Sequence, residues 1–271
     1  MLGSKVNRQR GSLNRLHSLY LILISIGHEE FRIPFSLERV PVGHKFVARE
    51  TEMTQMEAVL LPRSKAGVRR TVFVLYGLGG IGKTQLSVEF ARKHQAKYSA
   101  IFWIDGSSSN SVKSSIAEVG RKLPQGQLRE ISKEYLKGQS TDLDAIVRDV
   151  LDWLSRPKNS QWLLILDNVD REYGGQVPDT EAFDVQKTFP SADHGYILIT
   201  SRLLSFQRLG EAVKLKPVNV GEGAAMLESQ IGHHVDGRTI TIPNYYIHIR
   251  LSNGDFLQAY SSSQSSWMVF R

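Results

Sequence analysis

The stretch TVFVLYGLGGIGKTQLSVEF, residues 71–90, decides how the rest of the chain is read. An unbroken apolar run enters a glycine-rich turn, and an amphipathic stretch leaves it. The turn matches G-x-x-x-x-G-K-[ST] through Gly77, Gly82, Lys83 and Thr84, with a strand before it and a helix after it, as the motif requires. Each residue type has a physical task. Gly77, Gly79, Gly80 and Gly82 allow positive φ and let backbone N–H groups approach phosphate oxygens. The helix N-terminus at Lys83 adds its dipole, the Lys83 ammonium reaches β- and γ-phosphates, and the Thr84 hydroxyl can ligate Mg2+. A ligand-free glycine turn is the bland alternative, and the complete motif in its context argues against it.

Outward from this loop, short apolar runs alternate with amphipathic stretches. TVFVLY (71–76) is joined by AIFWI (100–104), WLLILD (162–167), GYILIT (195–200) and the weaker AVKLK (212–216). Continuous rather than alternating hydrophobicity is what strands buried on both faces require, so an α/β fold with a helix-covered parallel sheet is expected. Helices are expected over 84–95, 111–123 and 141–155, the second from Val112, Ile116, Val119 and Leu123 at spacings of three and four. Thr141 with Asp144 reads as a capping box, and Pro157 lies beyond the end of that helix. The polar stretch PQGQLREISKEYLKGQS (124–140) reads as surface loop or short helix.

Composition narrows the function classes. The chain has 271 residues, 41% of them hydrophobic and 23% charged, enough to bury a sizeable core. No cysteine is present, which excludes disulfides, thiolate metal sites and cysteine nucleophiles together. A net charge of +7 fits an anionic partner such as nucleotide, nucleic acid or an acidic membrane surface. The basic residues are scattered and not interleaved with aromatics, so direct nucleic-acid binding is not expected. Near the N-terminus, LHSLYLILISIG (16–27) is too short to span a bilayer and lacks a convincing cleavage pattern after it; an N-terminal helix or frayed extension is expected there, in a cytoplasmic protein with no membrane span.

Two further strands carry chemistry. WLLILDNVD ends its apolar run in Asp167, the placement of a Walker B aspartate that holds Mg2+ through water. GYILITSR ends in Thr200, Ser201 and Arg202. An arginine there can report a γ-phosphate, or it can form a surface salt bridge, and both readings stand at this point.

Taken in order, FVLYGLGGIGKTQLSVEFARKH, AIFWIDGSSSNSVKSSIAEV, WLLILDNVDREY, FPSADHGYILITSR and VKLKPVNVGEGAAMLE resemble the motifs of the NB-ARC family. These are STAND-class P-loop ATPases found in plant resistance proteins, apoptotic scaffolds and fungal NOD-like receptors, and the fungal form is the most similar. FVARETEM (46–53) is similar to the family's opening motif beside adenine. The resemblance covers about residues 34–231. It implies a P-loop NTPase three-layer αβα fold with a five-stranded parallel sheet in the order 5-1-4-3-2, in a nucleotide-binding domain over 41–231. The residues outside it read as irregular N- and C-terminal extensions: a basic one over 1–40 and an atypical tail over 232–271 without helical periodicity. By the same resemblance Phe46, Val47 and Arg49 lie near adenine and ribose, and Gly79, Gly80, Ile81, Gly82, Lys83, Thr84 and Gln85 wrap the phosphates. Thr84 and Asp167 hold the metal, Arg202 senses the γ-phosphate, and the cofactors are ATP or ADP with Mg2+. Family members switch slowly from a closed ADP form to an oligomerising ATP form, which implies protein partners: full-length relatives or further copies of the chain.

The sequence departs from that pattern twice. Many members follow the metal-binding aspartate with a second acid that orients the attacking water; here Asn168 stands there, with Asp170 two residues on. An amide cannot take a proton as a carboxylate can, so weak hydrolysis at most is expected. The helical and winged-helix subdomains that carry the family's G-L-P-L motif and β-phosphate histidine have no counterpart after about Gly232. A shortened member, or a gene model with an unusual last segment, is the expectation. The alternative to a nucleotide switch is then a non-catalytic remnant acting as partner or decoy of full-length receptors.

Overall fold

The computed structural model describes residues 32–36, 49–62, 69–174, 179–217, 257–260 and 267–270. The expectations for Phe46 and Val47, and for most of the two extensions, lie outside the described residues.

Five strands, β1 (Thr71–Tyr76), β2 (Ala100–Asp105), β3 (Trp162–Asp167), β4 (Tyr196–Ser201) and β5 (Glu211–Lys214), form one sheet in the order β2-β3-β4-β1-β5. Every pairing in it is parallel. Read from the other edge this is the expected 5-1-4-3-2. The central strands β3 and β4 are buried at every position, which is why their sequences are apolar without alternation.

Alternate residues of each strand feed opposite faces, as the two-residue period of a strand demands. On one face Val74, Phe102, Leu164, Leu166 and Ile197 pack with α3 (Ser109–Lys122) and α5 (Leu143–Leu154). On the other Phe73, Leu75, Leu163, Ile165 and Leu198 pack with α1 (Glu50–Leu60) and α2 (Lys83–His94). The result is the three-layer αβα arrangement.

Helix starts reveal what pattern alone placed only approximately. Ser108 caps α3 by accepting the Ser111 N–H at 3.1 Å. The α5 cap is Asp142, whose carboxylate accepts the Ala145 N–H at 2.8 Å, and not the expected Thr141. An aspartate one residue nearer the first turn is the better acceptor for an unsatisfied helical N–H.

Within the polar 124–140 stretch a short helix, α4 (Glu130–Leu136), packs Tyr135 and Leu136 against the core and is also tied down by a buried carboxylate. Asp149 on α5 is 4% exposed and accepts hydrogen bonds from the Arg129 N–H (2.9 Å), the Ser132 hydroxyl (2.6 Å) and the Arg129 guanidinium. Burial acts to raise its pKa, but the bonds from Arg129 and Ser132 outweigh that and hold it below the usual carboxylate range. A folded-state pKa below the unfolded one means this stabilisation is complete above the unfolded value and fades as pH falls through the folded one. Asp149→Ala leaves the Ser132 hydroxyl and the Arg129 N–H without their acceptor, while the exposed Arg129 guanidinium keeps water and Asp152, and is expected to cost about 2 kcal/mol in urea denaturation at neutral pH. The variant's stability is also expected to fall less than the parent's between neutral and acid pH.

Towards the C-terminus β6 (Leu257–Tyr260) and β7 (Trp267–Phe270) pair antiparallel in a two-stranded sheet separate from the first. No helix among the described residues is long and apolar enough to cross a membrane.

Candidate functional site

The glycine loop leaves the C-terminal edge of β1 and is clamped at its root. The Gly77 N–H donates to Ser201 O at the end of β4 (3.1 Å), and the Leu215 N–H, just past β5, donates to Tyr76 O (2.7 Å). Gly77 has φ 150°, and a Cβ on it would stand 2.8 Å from Leu215 O, so the position excludes side chains. At the far end Gly82 is the N-cap of α2 with φ 99°, in the left-handed region open chiefly to glycine. It offers no side-chain cap, and no acidic residue stands in the first turn, so the first N–H groups of α2 and its dipole face the loop's interior. Gly80 also has positive φ, whereas Gly79 does not, which corrects the reading of all four glycines as left-handed. Gly79 instead lies against Arg202: a Cβ there would meet its Cδ at 3.7 Å.

Lys83 is buried and folds back across the loop, its Nζ donating to Gly77 O and Leu78 O at 2.9 Å each. Burial pulls its pKa down; Asp170 and Asp167 act to hold it up, and Arg202 pushes it further down. A buried ammonium whose hydrogen bonds go to neutral carbonyls gains from an anion.

Beside it the Thr84 hydroxyl donates to the Asp167 carboxylate at 2.9 and 3.1 Å, and the Thr200 hydroxyl donates to the same carboxylate at 2.6 Å. Burial raises the Asp167 pKa, the bonds from Thr200 and Thr84 work against that, and the Asp105 carboxylate adds to the rise. A hydroxyl and a carboxylate side by side at a helix N-terminus are hard oxygen donors suited to Mg2+, which takes one or two protein oxygens and completes its shell with phosphate and water. The residues present therefore fit a magnesium-bound phosphate chain.

A cavity of about 410 Å³ joins these parts, lined by residues 79–85 together with Asn168, Asp170, Thr200 and Arg202. Asn168 has φ 67°, a left-handed conformation that asparagine tolerates, and its N–H donates to the Thr200 hydroxyl at 2.9 Å. Arg202 pairs with Asp170, as its salt-bridge reading expects, and it also lines the cavity. Arg49 spends its guanidinium elsewhere than on open space: Nη1 donates to Lys216 O (2.6 Å) and Nη2 to Ile81 O (3.1 Å), fastening the loop to the chain beyond β5.

Two cavity residues had no role assigned from sequence. Thr200 was visible only as a hydroxyl at the end of the strand that neighbours Asp167, and Asp170 as an acid displaced from its usual place. The pairing of β3 with β4 gives both of them their partners.

A glycine loop between β1 and α2, with an aspartate at the end of a strand one position removed from β1 in the sheet, defines a P-loop NTPase of the αβα class. Residues 49–215, well over half of the chain, match the NB-ARC domain family, and the protein belongs to that nucleotide-binding family. It is similar to a nucleotide-binding leucine-rich repeat (NLR)-like protein of Hyaloscypha variabilis, at 27% identity over 135 residues. That match covers 48% of this chain and 12% of the relative's length. Among solved structures it is similar to Cdc6p from Pyrobaculum aerophilum, with 14% identity and a TM-score of 0.48 over 74% of this chain and 54% of that one. A Signal Transduction ATPase with Numerous Domains protein with a tetratricopeptide repeat sensor, from Pyrococcus horikoshii, aligns at 21% identity and a TM-score of 0.40, over 74% of this chain and 28% of that one.

Proposed function

We propose that this chain binds ADP and ATP with Mg2+ and serves as a signalling switch module whose hydrolysis is slow. The observation that carries the reading is the convergence of Lys83, Thr84 and the N-terminus of α2 with Arg202 at one cavity, with Asp167 hydrogen-bonded to Thr84 beside it. In it the α2 N–H groups and Lys83 bind the phosphates, and Thr84 and Asp167 orient the metal. Arg202 meets the terminal phosphate. Bound Mg2+ supplies charge neutralisation of the phosphate oxygens.

Slow hydrolysis follows from the placement of carboxylates. Asp167 is occupied by two hydroxyls and Asp170 by Arg202, while the position facing the cavity between them is the amide of Asn168. No carboxylate among the cavity-lining residues is left to take a proton from water. The nucleotide-binding domain spans residues 41–231 between the basic extension (1–40) and the tail (232–271). Its setting is cytoplasmic, and its protein partners are full-length relatives or further copies of the chain.

The metal assignment is tested by titrating ADP with and without Mg2+ into the parent chain and Asp167→Ala. Added Mg2+ is expected to tighten ADP binding by the parent roughly tenfold, the size of one well-placed charge interaction, and to leave the variant's affinity unchanged. Equal Mg2+ dependence in both proteins would remove Asp167 from the metal site.

A further inference from the structure

Asp170 makes a contact that phosphate binding alone does not call for. Beyond β3 the chain turns through Asn168 in its left-handed conformation, and the Val169 N–H donates to Thr200 O at 2.9 Å. That turn brings the Asp170 carboxylate to the end of β4. One of its oxygens accepts the Arg202 backbone N–H at 2.7 Å, and the other accepts the Arg202 Nε–H. A single carboxylate thus grips both the main chain and the guanidinium of one residue.

The two partners differ in freedom. Asp170 is 14% exposed and Arg202 59% exposed, so the acid is the fixed member of the pair. With Nε engaged, the plane of the guanidinium is set, and its terminal nitrogens keep their donors. Those nitrogens lie along the glycine loop: Nη1 stands 3.8 Å from where a Cβ on Gly79 would be. An exposed arginine without such an anchor must lose considerable rotamer freedom before it can grip a phosphate.

We propose that Asp170 is a positioning residue that fixes the Arg202 guanidinium over the phosphate loop, and that this pair makes the site prefer a nucleoside triphosphate over a diphosphate. The inference rests on the nucleotide reading above. A diphosphate at the loop satisfies the α2 N-terminus and Lys83; the added terminal phosphate of a triphosphate is the group that has charge left for Arg202. Asp170 therefore discriminates between the two nucleotides only through Arg202; its charge beside Lys83 acts on both alike and cancels in the ratio of their affinities.

Affinities for ADP and for the non-hydrolysable β,γ-imido analogue of ATP, both with Mg2+, test this in the parent chain, Asp170→Glu, Asp170→Asn, and each of these combined with Arg202→Ala. Asp170→Glu keeps the charge and moves the carboxylate by one methylene, so it separates position from electrostatics. Either single variant is expected to lower the ratio of triphosphate to diphosphate affinity roughly tenfold. In the Arg202→Ala background the same changes are expected to leave that ratio unaltered. Equal losses for both nucleotides, a gain in triphosphate affinity, or the same effect without Arg202 would each overturn the inference. Should the parent bind ADP in a Lys83-dependent way while the Asp170 variants keep its ratio, this inference alone falls. Absence of binding in the parent would remove the nucleotide reading and this one with it.

Discussion

Replacing Asn168 by aspartate is expected to raise the rate of ATP hydrolysis by about a hundredfold, the lower end of what general-base assistance supplies. The substitution is unusually well isolated. Asn168 is exposed to the cavity, and its left-handed φ of 67° is one that aspartate also adopts readily. Its bond to the Thr200 hydroxyl is donated by the main-chain N–H of residue 168 and does not depend on that residue's side chain. What changes is the cavity's chemistry: a carboxylate without a hydrogen-bond donor of its own appears beside Asp167, whose oxygens already accept from Thr84 and Thr200. Phosphate release from purified parent and Asn168→Asp protein, at saturating ATP and Mg2+, measures the gain. Equal rates would show that the attacking water is not reached from this position, and the account of slow turnover would then need another cause.

Lys83→Ala carries the second large effect: ADP affinity is expected to fall about a hundredfold. Charge-assisted hydrogen bonds contribute about 1.5–3 kcal/mol each, and an ammonium can give more than one to a phosphate chain. The gain is partly offset because Lys83 must first leave Gly77 O and Leu78 O, which it holds at 2.9 Å. Burial works in the other direction, since an ammonium kept from water and held by carbonyls is stabilised by an incoming anion. Removing the side chain also strips those two carbonyls of their donor, so thermal denaturation of the nucleotide-free variant should accompany the titration. An unchanged melting temperature with lost affinity assigns the effect to binding, and retained affinity would remove Lys83 from the phosphate site.

Much of the fold is legible in the sequence because a parallel sheet leaves a strong imprint. Strands such as β3, whose LLIL (163–166) is apolar at every residue, show this because successive side chains enter different cores, and the glycine motif orients the whole by marking β1 and α2. Local chemistry at helix ends is less legible. Thr141 and Asp142 are both good caps, and only the direction of the chain entering α5 selects the second. The α4 helix is too short to show a periodic apolar pattern; Tyr135 and Leu136 reach the core, and Ser132 is held by Asp149 on α5, a partner distant in the chain.

The candidate site divides the same way. Lys83, Thr84 and Asp167 come from motifs whose spacing within a strand-loop-helix unit carries their geometry, and the structure brings them together. Thr200, Asp170 and the two carbonyl partners of Arg49 depend on which strands are neighbours and on a turn through one left-handed asparagine. Those relations belong to tertiary structure and leave no periodic trace. The φ of Gly79 is similar: four glycines in one loop are indistinguishable as letters, and only the backbone path shows that one of them lies against Arg202 in an ordinary conformation.

The most direct measurement of the central claim is an equilibrium titration of ADP with Mg2+ into the purified parent chain, read calorimetrically for both affinity and stoichiometry. The account predicts saturable binding of one ADP per chain at micromolar or lower concentration. Absence of saturable binding by a folded protein would contradict it.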